Sequence, residues 1–181
     1  MRLLVFDTET TGLPQSKFIA PSTLHQWPYI VQFSYIIYDT SLNDIIQSKD
    51  YIIKLPESIL IPEDSTKIHG ITNEMSQQNG VQISDVLSEF FYFLRGVDIL
   101  VGHNIEFDIN MMKIELLRII DKNSLTQEQI KFYKYELHFL INFKKTKQLF
   151  LKHNRNLFSE YNMYGSISFS YNLQHCISGS R

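Results

Sequence analysis

The sequence has only one cysteine, Cys176, among its 181 residues, so no intrachain disulfide can form. A chain of this kind is typical of a reducing compartment, and we expect an intracellular, cytoplasmic protein. The sequence also lacks an apolar run of membrane length and any pattern typical of a signal peptide. We therefore expect a soluble protein with no membrane partner.

The net charge is also small: its formal value is -2 at pH 7, and the pI is about 6.3. This balance excludes nucleic-acid binding that depends on a strong overall positive field, so metal ions or a local basic patch would have to supply the attraction. A hydrophobic content of 44% indicates a packed globular protein. The length fits a single domain over residues 1–181.

The most informative stretch lies near the N-terminus, where four apolar residues run directly into Asp7-Thr8-Glu9 and a turn at Gly12. We interpret it as a buried strand with an acidic end. Side chains alternate along a strand, so Asp7 and Glu9 should share one face, with Thr8 on the other. Neighbouring carboxylates repel one another, and a divalent cation would relieve the repulsion. The alternative is a strand that simply ends in solvated acids.

The next residues predict a surface loop over 15–27 and then hairpin-connected strands over 29–38 and 50–54. With the first strand they would form an antiparallel start to a sheet. Residues 55–80 contain two prolines and predict a loop with one helical turn. A helix capped by Ser84 should follow, and then a strand over 98–101 that returns parallel to the first. Helical spacing begins again near Asp108, and Thr126 with Gln129 predicts a capping box for a further helix toward Lys147.

A second acidic position follows the strand over 98–101. Asp108 falls in the first turn of the predicted helix, where an ordinary capping aspartate is also favoured. Parallel strands, however, bring their carboxyl ends to one sheet edge, so Asp108 can lie near Asp7 and Glu9. Three converging carboxylates would suit two hard cations.

These residues resemble the DnaQ-like, DEDDh-type 3′-to-5′ exonucleases. Residues 6–13 resemble the family's first motif, residues 102–108 its second, and residues 68–72 a segment that lines its nucleotide cleft. The resemblance covers residues 2–118 well. It implies an α/β, ribonuclease-H-like mixed sheet, antiparallel in its first three strands and then parallel, flanked by helices.

The third family motif is a His followed five positions later by an Asp. His175 resembles its start, but Ser180 stands where the Asp should be, and no acidic residue follows Glu160. We therefore expect the C-terminal end to be truncated or diverged after about residue 150, and the activity to be impaired by the missing fourth carboxylate.

The resemblance implies hydrolysis of the 3′-terminal phosphodiester with two Mg²⁺ or Mn²⁺ ions, on single-stranded DNA or RNA with a free 3′ end. It implies metal binding by Asp7, Glu9 and Asp108, with His175 as the general base. A polymerase partner leaves no motif in this sequence. A hydrogen-bonded loop histidine is an equally good interpretation of His69. For His103 and Asn104, support of the strand-helix junction is favoured over contact with substrate, because polar groups there need partners. The implied substrate contacts are Thr8, Thr10, Gly12, Leu13, His69 and Asn104.

Two alternatives to an active exonuclease remain at this point. One is a catalytically degenerate nucleic-acid-binding module that keeps the cleft without turnover. The other is a truncated product with no function of its own. A metal-dependent nuclease assay separates the first interpretation from both alternatives.

Overall fold

The computed structural model describes residues 1–122, 125–141 and 148–150. Its centre is one mixed sheet in the order β3-β2-β1-β4-β5. β1 pairs antiparallel with β2, and β2 pairs antiparallel with β3, whereas β4 runs parallel to β1 and β5 runs parallel to β4. The predicted mixed sheet is confirmed. The strands are β1 (Arg2–Thr10), β2 (Ile30–Asp39), β3 (Asp44–Ile52), β4 (Ile99–Gly102) and β5 (Gln148–Phe150).

The second hairpin strand begins earlier than predicted, at Asp44 rather than at residue 50. Asn43 closes the turn with a φ of 54°, and the Tyr38 hydroxyl donates to its side chain, so the chain reverses within a few residues. β3 lies at the sheet edge and alternates between exposed and half-buried positions, which explains its polar composition.

Residues 55–80 hold two helices rather than the predicted single turn. α1 (Glu63–His69) ends at Gly70, whose φ of 78° is the left-handed conformation that terminates many helices. α2 (Asn73–Asn79) is capped by Thr72, whose side chain accepts from the Met75 N–H. Short helices of this kind carry too little periodicity to be recognised from the sequence.

Three longer helices complete the fold: α3 (Ile83–Leu94), α4 (Ile105–Ile120) and α5 (Gln127–Ile141). Ser84 is not the cap of α3, because the helix already begins at Ile83. The predicted capping box of α5 is confirmed, since Thr126 N–H donates to Gln129 Oε1 at 2.9 Å and Gln129 N–H donates to Thr126 Oγ1 at 3.2 Å. Its predicted continuation over 142–147 lies outside the described residues. No helix within the described ranges is long and apolar enough to cross a membrane.

The main core lies between one face of the sheet and helices α3 and α4. Phe90 of α3 is central, with ring centroids 5.4 Å from Phe6 and 5.0 Å from Phe33. The opposite face of β1 carries Val5, in a smaller cluster with Ile36 and Val101. The predicted loop over 15–27 is confirmed, apart from a 3₁₀ helix at Pro21–Gln26.

Candidate active site

The acidic end of β1 extends past the strand beside it. Pairing with β4 stops at Val5 opposite Val101, whereas β1 continues to Thr10. On the β2 side, Asp7 lies opposite Ser34, and Glu9 lies opposite Gln32. Directly opposite residues share a face, so two uncharged polar side chains flank the two acids. The hairpin register places them there, and composition alone gave no signal for them.

Asp108 is held against β1 by Thr8. Its Oδ1 accepts from the Thr8 N–H at 3.0 Å and from the Thr8 hydroxyl at 2.7 Å. The backbone group needs this partner because β4 has already ended, and a buried N–H without an acceptor is costly. Both side chains are buried, with Asp108 only 2% exposed. Thr8, predicted as a substrate contact, therefore uses its hydroxyl to orient Asp108.

The three carboxyl groups interact through Asp7. Burial raises the pKa of Glu9 to about 7, and the negative charge of Asp7 adds to the effect. Burial also raises the pKa of Asp108 to about 7, again with a contribution from Asp7, while the hydrogen bonds from Thr8 oppose it. The pKa of Asp7 itself is raised by burial and lowered by nearby His103. Such a cluster binds protons at neutral pH unless a cation takes their place.

The donor set fits a hard divalent cation, since it consists of carboxylate oxygens whose charges are mutually unfavourable. In the part of the chain that the structure describes, no three His, Cys, Asp or Glu side chains lie close enough together to hold a metal ion. The charge of Asp7 therefore acts on Glu9 and on Asp108 as two separate pairs. Metal binding by the three acids stays a prediction.

The turn after β1 is held from two sides. Thr11 N–H donates to the Tyr29 carbonyl at 2.9 Å, and Tyr29 N–H donates to Thr11 Oγ1 at 3.0 Å. From α1, the Ser65 hydroxyl donates to the Thr11 carbonyl at 3.0 Å. Gly12 has a φ of 152°, which L side chains rarely adopt, and Leu13 is 83% exposed. The turn therefore presents an apolar side chain to solvent from a fixed backbone.

His69, at the end of α1, is buried beside this turn. Its Nδ1 accepts from the Ile71 N–H at 3.1 Å, which leaves the proton of the neutral ring on Nε2. Nε2 makes no hydrogen bond within the described residues, although the Thr10 backbone lies near enough to favour protonation. Burial is the larger influence and lowers the pKa of His69. A neutral imidazole with an N–H beside Thr10 results.

The junction between β4 and α4 brings a histidine to the acids. His103 and Asn104 are both exposed, and His103 lies close enough to Asp7 to lower the pKa of that carboxyl. Asn104 precedes α4 without capping it through its side chain. The sequence favoured a supporting role for His103 over contact with substrate, although its position just after β4 already placed it near the acidic end of β1. His175 and Ser180 lie outside the described residues.

One prediction concerns the contact between Thr8 and Asp108. Thr8→Val keeps the shape of the side chain and the backbone donor but removes the hydroxyl, so Asp108 loses its 2.7 Å bond. We expect catalytic activity to fall about tenfold, because one hydrogen bond to a charged group is lost and Asp108 is less firmly oriented. Steady-state kinetics of the 3′-end hydrolysis that the sequence resemblance implies would measure it. Thr40→Val makes the same change at the opposite end of β1, where the Thr40 hydroxyl donates to the Met1 carbonyl, and should leave activity unchanged. Equal activities of the two variants would contradict an orienting role for Thr8.

Comparison with known proteins identifies a matching family and relatives that cover about two thirds of the chain. A family model described as RNase_T, exonuclease, matches residues 4–166. The DNA polymerase III subunit epsilon of Treponema pallidum is 30% identical over 132 residues, covering 71% of this chain and 52% of that protein. The Buchnera aphidicola subunit is 26% identical over 121 residues, covering 67% and 48%. The chain thus spans about half the length of these curated relatives.

Solved structures support the fold. Exonuclease I from Methylocaldum szegediense matches with a TM-score of 0.51 and 20% identity, covering 66% of this chain and 24% of that chain. A 3′-exonuclease described in 3′-end specific recognition of a histone mRNA stem-loop matches with a TM-score of 0.50 and 12% identity, covering 67% and 54%. At these identities the likeness concerns the α/β fold alone.

Proposed function

The chain belongs to the DnaQ-like exonuclease family, and from this membership we propose that it removes nucleotides from the 3′ end of a DNA strand by metal-assisted hydrolysis. The observation that carries the proposal is the coupling of Asp7 to both Glu9 and Asp108 at the end of β1. DNA is favoured over RNA because the curated relatives are named as subunits of a DNA polymerase. A polymerase partner and a cytoplasmic location are part of the same proposal.

Exonucleases of this family depend on divalent metal ions, and we propose two Mg²⁺ or Mn²⁺ ions here. Asp7, Glu9 and Asp108 would hold them, and Thr8 would keep Asp108 in place. When bound, such ions make water a better nucleophile at neutral pH and stabilise the leaving 3′ oxygen. On the basis of the family resemblance alone, His175 is proposed as the general base.

The terminal nucleotide would lie against the turn after β1. Gly12 lets the backbone approach the nucleotide closely, and exposed Leu13 offers an apolar surface to a base. Thr10 is fixed there by its hydrogen bond to the Gly12 carbonyl at 2.7 Å. The Nε2–H of His69 and the exposed side chain of Asn104 would supply donors at the border of this cleft.

The test uses 5′-labelled single strands that differ only at the 3′ end. We expect stepwise shortening of a strand with a free 3′ hydroxyl, in Mg²⁺ or Mn²⁺ but not in EDTA, and a slower reaction on RNA of the same sequence. A 3′-blocked strand and a circular strand should remain intact. Cleavage of the circle would indicate an endonuclease instead. Binding without any shortening would indicate a nucleic-acid-binding module that has lost catalysis.

A further inference from the structure

The carboxyl-terminal half of α4 contains an arginine that is tied to the loop before β2. Arg118 is only 10% exposed and pairs with Glu115 through Nη1 at 2.6 Å. The same guanidinium donates to three backbone carbonyls, and it stacks on the Tyr29 ring with Cζ 3.6 Å from the centroid. These carbonyls are those of Pro28 at 2.9 Å, Leu24 at 3.0 Å and Trp27 at 2.6 Å.

This loop leads directly to the turn that we propose contacts the nucleotide. Tyr29 exchanges two hydrogen bonds with Thr11, one through its carbonyl and one through its N–H. Glu115 strengthens the junction, since its carboxylate accepts from the Ile30 N–H at 3.3 Å. A continuous set of contacts therefore runs from Arg118 through Tyr29 to Thr11.

The two ends of α4 thus support opposite sides of the first motif. Asp108 in the first turn binds Thr8, whereas Arg118 lies ten residues on, which is roughly 15 Å along a helix. A shift of α4 relative to β1 would move Asp108 and the turn together. A planar guanidinium suits this task because its donors point in fixed directions and its face can stack on a ring, and neither property is available to lysine.

We propose that Arg118 is a positioning residue that fixes the Thr10–Leu13 turn through Tyr29 and Thr11, and so sets the affinity for the terminal nucleotide. This inference rests on the proposed function for its substrate. Arg118 lies at the far end of α4 from Asp108, so its contribution should appear in substrate binding far more than in the chemical step.

The test compares Arg118→Lys with Arg95→Lys. Arg95, directly after α3, also pairs with a buried glutamate, Glu136 of α5, and neither residue is one that we place at the site. We expect Arg118→Lys to speed hydrogen exchange of the Thr11 amide about tenfold and to raise KM about tenfold, with kcat changed less than threefold. Arg95→Lys should change none of the three.

A second pair of variants tests the route of the effect. Tyr29→Leu removes the stacked ring but keeps the ion pair, and should raise the hydrogen-exchange rate of the Thr11 amide and the KM by a smaller factor. If Arg118→Lys does not fold, this variant tests the inference in its place. Thr11→Val removes the acceptor for Tyr29 N–H, so adding Arg118→Lys to it should raise KM less than in the wild-type background.

Two results would overturn the inference. One is an unchanged hydrogen-exchange rate of the Thr11 amide in Arg118→Lys, and the other is a faster rate without a change in KM. An inactive wild-type chain would instead contradict the proposed function. In that case exchange at Thr11 still shows whether Arg118 holds the turn. The Kd of a single strand in EDTA would then replace KM, and an equal Kd for Arg118→Lys and Arg95→Lys would overturn the substrate role.

Discussion

Replacing Asp7 by asparagine is expected to lower the rate of 3′-end hydrolysis by about 10³-fold while leaving the fold intact. Asp7 is the carboxyl whose charge acts on both Glu9 and Asp108. The amide has nearly the same size, so β1 and its pairing opposite Ser34 should persist. What disappears is the negative charge at the centre of the cluster, and with it most of the attraction for divalent ions.

The same substitution should stabilise the metal-free protein. At about pH 8 Glu9 and Asp108 are largely ionised, since their pKa values are about 7. Replacing the buried Asp7 carboxyl removes the cost of its burial and its repulsion of the other two acids. We expect the melting temperature in EDTA to rise by about 2–4 °C. A gain of stability with a loss of activity would show that the acids are arranged for a ligand.

Asp44→Asn provides the matched control, because Asp44 is an exposed acid at the start of β3, opposite Asp39 at the other end of the sheet. It should change neither rate nor melting temperature appreciably. An Asp7→Asn variant with a rate within tenfold of the wild type would contradict the assignment of Asp7. So would an equal loss in both variants.

The parts of the fold predicted correctly are those with a strong local pattern. The apolar run before Asp7 favoured a buried strand, and the Thr126 and Gln129 pair satisfies the first N–H groups of α5 by itself. The place of Asp108 followed from one general rule, that parallel strands deliver their carboxyl ends to the same edge. The structure adds what holds it there, a hydrogen bond from Thr8.

The errors over β3 and α2 arise because neither element has a clear pattern in its own residues. β3 is polar because one of its edges is open, and its start depends on the conformation of Asn43. α2 is too short to show a period, and it is held by the buried Ser76, whose hydroxyl donates to the Ile53 carbonyl. The link from Arg118 to Thr11 joins residues that are far apart in the sequence, so no local motif could reveal it.

The stability of the metal-free protein is expected to fall as pH rises from about 4 to about 7. Glu9 and Asp108 have pKa values raised to about 7 in the folded chain, from 4.5 and 3.8. The folded state therefore keeps protons that the unfolded state releases, and stability decreases with pH wherever this holds. The contribution is fully present below about pH 4, is lost progressively as pH rises to about 7, and is absent above that value.

Divalent metal should reverse this loss, because cations and protons compete for the same oxygens. At about pH 8, Mg²⁺ or Mn²⁺ at about a hundredfold excess over its Kd should raise the melting temperature by about 5–10 °C. At about pH 5 the same concentration should have little effect, since protons occupy the cluster. The measurement is a series of thermal melts over pH, with EDTA and with metal.

Asp7→Asn separates this cluster from all other titrating groups. Its melting temperature should fall less between about pH 5 and pH 8 than that of the wild type, and it should respond weakly to metal. Other groups also titrate, such as Asp39, whose pKa is lowered by hydrogen bonds from the Ser41 hydroxyl and N–H and from the Arg2 side chain. These remote groups are the same in both proteins, so their contributions to the pH dependence cancel in the comparison. If wild type and variant gained the same stability from metal, or if the gain were equal at both pH values, the ions would be binding elsewhere on the protein. The raised pKa values of Glu9 and Asp108 would then reflect burial and the charge of Asp7, without a metal site.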